Sequence, residues 1–106
     1  MKWAKKLIYG EEAGKKRIGY VTKLKMGKGV LGLSAIVISP DSPNQFDIID
    51  TKLLMWKRYP KDDLIIVGIA KGQDEALDLM EHFSQKVYDE TGTLDMKNYV
   101  LEHGVR

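Results

Sequence analysis

The run DDLIIVGIAKGQDEALDLMEHFSQKVYDETG, Asp62 to Gly92, constrains this chain more than any other stretch. Leu64 to Ala70 is apolar and β-branched over a strand's length, which suits a strand central in a sheet. Gly68 to Gly72 reads as a glycine turn, and a helical period follows from about Gln73 to Glu90. On a wheel of 100° per residue Ala76, Leu79, Met80, Phe83 and Val87 form one stripe, with Asp78, Glu81, Gln85 and Asp89 opposite. Asp74 and Glu75 occupy the first turn, where the helix dipole favours acids, and Thr91-Gly92 closes the helix. Such a helix needs a sheet for its stripe to cover.

The sheet is assembled from what precedes it. Val30 to Ser39, VLGLSAIVIS, is short and β-branched and reads as a strand with both faces at least partly covered. Pro40 to Asn44 is turn chemistry, and Phe46 to Thr51 resumes as a strand placed near an edge by its alternating Asp47 and Asp50. Lys52 to Asp63 breaks the alternation, with Leu53 to Trp56 as a short helical turn or irregular extension that Pro60 ends.

Glu11 to Lys28 carries two periods. Ala13, Arg17, Tyr20 and Leu24 share a helical face, while Ile18, Tyr20, Thr22, Leu24 and Met26 alternate as in a strand. Gly14 and Gly19 each weaken a helix by about 1 kcal/mol relative to Ala. The acidic front and basic back favour the helix, which Gly27 and Gly29 would stop. Asp95 to Glu102 predicts a second short helix after the long one, and Lys5 to Tyr9 is a candidate fourth strand.

A chain of 106 residues suits one domain spanning 1–106, and 43% hydrophobic with 30% charged residues predicts a folded core. With no Cys there is no disulfide framework, thiolate nucleophile or Cys-ligated metal. Leu7-Ile8-Tyr9 is too short for a secretory apolar region, and Gly29 to Ile38 is about half of the roughly 20 residues a membrane span needs. The expectation is a soluble cytoplasmic protein without a membrane partner.

Charge is divided along the chain. Met1 to Lys28 holds nine Lys or Arg against two Glu, whereas the rest holds eight basic and thirteen acidic side chains. The split marks Lys15, Lys16, Arg17, Lys23, Lys25 and Lys28 as candidate phosphate contacts for nucleic acid, with Tyr20 stacking on a base. The plainer reading is a solvated Lys-rich face docked near acids of the same fold.

No constellation carries catalysis. Gly68-Ile69-Ala70-Lys71-Gly72 sits where phosphate loops live, but Asp74 and Glu75 would repel an anion and the pattern is neither GxGxxG nor a Walker loop. Asp78 and His82 are at i, i+4, yet two ligands make a weak metal site, and His82 and His103 both read as surface residues. Asp47, Asp50, Asp62 and Asp63 lack any placed partner, and Ser34, Ser39, Ser42 and Ser84 lack a nucleophile elbow. No cofactor is implied. Leu54, Trp56, Arg58 and Tyr59 form a candidate protein interface, because Trp, Tyr and Arg dominate interface energetics. The competing reading is that Leu53, Met55 and Trp56 cover one end of the core.

VGIAKGQDEALDL, then VYDETG and Asn98-Tyr99, resembles a family of small bacterial proteins of unknown function: a strand ending VGIA, a glycine-containing turn, an EAL-type helix, then an aromatic and TG. The resemblance spans about Leu33 to Glu102 and is strongest from Ile66 to Leu79. Its motifs are structural and imply no catalytic residues.

The fold expected is α+β: a small antiparallel three-stranded meander, four-stranded if Lys5 to Tyr9 joins, packed by the long helix and flanked by N- and C-terminal helices. The leading functional expectation is a non-enzymatic interaction module that self-associates or takes a protein partner. Nucleic-acid binding through the basic region is the alternative, and a small enzyme of unknown reaction the third reading.

Overall fold

The computed structural model describes residues 1–105. Strand β1 (Lys2–Tyr9) leads into helices α1 (Glu11–Gly14) and α2 (Arg17–Lys25), then strands β2 (Leu33–Ile38) and β3 (Asp47–Asp50). Helix α3 (Thr51–Leu54), strand β4 (Ile65–Lys71) and helices α4 (Gly72–Thr91) and α5 (Met96–His103) complete the order. The α+β expectation holds, with the long helix against the sheet and shorter helices flanking it.

The sheet has four strands in the order β1-β4-β2-β3. Lys5 to Tyr9 does belong to a strand, and it is parallel to β4, so the sheet is mixed rather than purely antiparallel. The expected meander is also corrected. β2 pairs antiparallel with both β3 and β4, because α3 and the connection after it carry the chain back past β2 to its far side. β4 is central and β3 is an edge, as their composition predicts.

Both sheet faces are covered. Alternate residues of β4 point opposite ways, Ile65 and Val67 toward Met80, Phe83 and Val87 of α4 with Met96 and Val100 of α5. Ile66 packs on the other side with Leu54, Ala35 and Val37, and beyond a register shift in the β2–β4 pairing, between Ile66 and Gly68, Ile69 also lies on that side with Leu24, Ala13 and Leu33. Each of the larger side chains contributes about 1.5–3 kcal/mol by leaving water. The α4 stripe read from the sequence is the buried one, and Gly92 ends the helix in a left-handed conformation with φ of 76°.

The basic segment is helical, as its charge order predicts, but in two pieces. Lys16 at the break has φ of −125° and ψ of 29°, outside the helical region. Only Ala13 and Leu24 are fully buried along it, with Tyr20 and Val21 half-buried beside them, so a narrow face docks and the charged side chains point to water.

Candidate functional site

The α1–α2 hairpin gathers the basic residues. No Asp or Glu occurs between Glu12 and Asp41. Lys15, Lys16, Arg17, Lys23, Lys25 and Lys28 are all exposed on this acid-free stretch. The one ion pair among the described residues joins Lys15 to Glu12 at 2.9 Å, and that bond raises the Lys15 pKa. Docking against acidic neighbours is therefore not what neutralises the other five.

Aromatic rings of β1 lie under two of these cations. The Arg17 guanidinium sits 5.8 Å from the Tyr9 ring centre and the Lys25 ammonium 5.2 Å from that of Trp3. Cation–π contact draws both long side chains along the strand while leaving their charge in place. Tyr20 differs from its expected role. Its half-buried ring packs against the core that holds Leu24, and the Lys71 ammonium lies 5.6 Å over its face. A face so occupied offers no platform for a base.

At the end of β4 the structure replaces the phosphate loop with a protein carboxylate. Helix α1 starts after Gly10, which has no side chain to cap it. Glu75 of α4 supplies the acceptor instead, taking the Glu12 N–H at 2.7 Å and the Ala13 N–H at 3.3 Å, and also the N–H of Lys71 ahead of its own helix. An anion position at two helix starts is thus filled from within. Burial works against the charged form, yet the N–H groups of Lys71, Glu12 and Ala13 outweigh it and hold the Glu75 carboxyl below its ordinary value of 4.5. A depressed folded-state pKa gives stability that is present above that ordinary value and lost as pH falls through the folded one. Glu75→Gln is expected to cost about 1 kcal/mol at neutral pH, as loss of a cap does, and to flatten the acid limb. Thermal melts of both proteins between pH 2 and 7 would check it; parallel curves would refute it.

The Leu53 to Pro60 segment divides. Leu54 is 0% exposed against Ala35, Val37 and Ile66, so it is removed from the candidate interface. Helix α3 turns Leu54 inward and its neighbour Leu53 outward. Trp56 stands 55% exposed, Arg58 is exposed and Tyr59 is half-buried beside Leu64 in the same cluster. Of the three residues expected to cover one end of the core only Met55 does so, since Leu53 and Trp56 are exposed, and Leu54, expected at an interface, is the one that is buried.

Other candidates are placed apart. His82 Nδ1 donates to the Asp78 carbonyl oxygen at 2.8 Å, not to its carboxylate. Asp47 accepts from the Asn44 amide and Asp50 caps α3 through the Lys52 N–H, both structural roles. Among the described residues no three His, Asp or Glu are grouped as a metal site, and no helix is long and apolar enough to cross a membrane.

The fold and its basic hairpin define an α+β chain with a mixed four-stranded sheet and a run of exposed cations along α1 and α2. No family model, curated protein or solved structure matches it.

Proposed function

We propose that the protein is a cytoplasmic nucleic-acid-binding module that holds phosphates on the α1–α2 hairpin. One observation carries the reading: Lys16, Arg17, Lys23, Lys25 and Lys28 are exposed without an ion pair on a hairpin that contains no acid after Glu12. Cations so placed gain by releasing the counterions condensed on a phosphate backbone. With Tyr20 unavailable for stacking, recognition is of backbone charge and carries little base preference.

Fluorescence anisotropy with mixed-sequence single- and double-stranded oligonucleotides tests this. About five phosphate contacts give a slope of log K on log salt near −4.5 for a duplex. Replacing Lys16, Arg17 and Lys23 together by Gln should reduce that slope by more than half. Absence of binding at low salt, or an unchanged slope in the variant, would sink the proposal.

A second reading retains protein–protein association through Trp56 and Arg58, favoured by the exposed Trp56 beside Leu53, itself 49% exposed. Its footing is narrower. Leu54 is in the core, both sheet faces are covered, and the β1 edge is part-occupied by an antiparallel bridge from Ala4 to Val105. Light scattering of the wild type and Trp56→Ala distinguishes a self-associating protein from a monomer.

A further inference from the structure

On the sheet face opposite the basic hairpin, the covering helices do not fill all the space beneath them. Between β1, α4 and α5 a cavity of about 190 Å³ remains. Its floor is apolar, made by Ile8, Val67 and Phe83, and its mouth carries Lys6, Lys86, Glu90, Tyr99 and His103.

Size limits the occupant first. Drug-sized ligands take cavities of roughly 300–1,000 Å³, so this one suits something smaller. An apolar cavity of about 150 Å³ in an unrelated protein admits benzene, which makes one six-membered ring with a small substituent the largest fit. The walls favour a flat molecule. The Phe83 and Tyr99 rings meet edge to face at 5.7 Å and 81°, and His103 stacks on Tyr99 at 4.0 Å and 21°. His103 Nδ1 also donates to the Tyr99 carbonyl at 2.8 Å, which holds the imidazole against that ring.

Charge then decides the substituent. The Tyr99 hydroxyl donates to Glu90, which engages the one carboxylate at the mouth. That bond also raises the pKa of Tyr99, so the phenol keeps its proton. Lys6 and Lys86 line the same mouth, and neither is in an ion pair. A ring deep in the pocket with an anionic group at the opening would meet both cations at its exposed rim.

We propose that this cavity binds a small aromatic carboxylate, its ring over Ile8, Val67 and Phe83 and its carboxylate against Lys6 and Lys86. The site is separate from the basic hairpin and uses none of its residues. Calorimetry and amide chemical-shift titration with benzoate, benzyl alcohol and acetate test it on the intact protein. Benzoate is expected to shift amides of β1, α4 and α5 and to bind at least tenfold more tightly than either of the others. Lys6→Gln/Lys86→Gln, both exposed changes, should weaken benzoate about tenfold and leave benzyl alcohol unaffected. Neutralising Lys16, Arg17 and Lys23 should leave benzoate binding unchanged. Saturation by benzyl alcohol as strong as by benzoate, undiminished benzoate binding in the double variant, or no shifts at tens of millimolar benzoate would each overturn the proposal.

Discussion

Gly68→Ala is expected to destabilise the protein by about 3 kcal/mol, the upper end of what an overfilled interior costs. Gly68 lies in central β4, where it pairs with Ile8 of β1 beside a break in the parallel register. A Cβ at this position would strike the Ile8 carbonyl and lie 2.6 Å from Ile8 Cγ1. Both groups belong to Ile8, one of them backbone that cannot swing aside as a side chain can, so β1 must move away from β4. For a domain of this size the loss lowers Tm by about 10–20 °C. The effect belongs to the close approach and not to glycine as such. Gly19 in the exposed interior of α2 has nothing within 4 Å of its own added Cβ, and Gly19→Ala should gain about 0.5–1 kcal/mol. Urea unfolding of the two variants checks both signs; a Gly68→Ala midpoint equal to wild type would show that β1 does not hold its place on β4.

What the sequence reveals follows from how local the governing interactions are. The run from β4 into α4 is legible because each element has its own period, and the Ala76, Met80, Phe83 and Val87 stripe needs only a sheet to face. Strand order is not legible in the same way. Turn residues after β2 dictate a hairpin with β3, but nothing local says on which side of β2 the chain returns. β1 is obscured by Lys2, Lys5 and Lys6, which an edge strand tolerates because alternate side chains and one backbone edge face water.

The site residues divide along the same line. Exposure of the basic hairpin can be read from its composition, whereas the loss of Tyr20 to Lys71 depends on the end of β4 arriving beside α2. Glu75 could have been suspected from a helix at Glu11 whose preceding residue, Gly10, brings no capping side chain. Its partner lay more than sixty positions away. The cavity is drawn from β1, β4, α4 and α5, and no window of sequence contains it.

Leu54→Ala should cost about 3 kcal/mol, within the 2–5 kcal/mol seen when a buried leucine is truncated and its neighbours cannot close the gap. Leu54 sits at 0% exposure beneath Ala35, Val37 and Ile66, on strands that are paired and unable to collapse inward. Two residues on, Trp56→Ala should change stability by less than about 0.5 kcal/mol, as truncation of a projecting side chain does. The pair separates two meanings of one apolar segment. If Leu54 belonged to an interface, its truncation would weaken association and spare the urea midpoint; because α3 turns it into the core, the midpoint should fall with the slope of the transition unchanged. Any effect on association should then come from Trp56 alone. An unaltered midpoint in Leu54→Ala would mean that α3 is not anchored on the sheet and that the whole segment from Thr51 to Tyr59 is free to serve a partner.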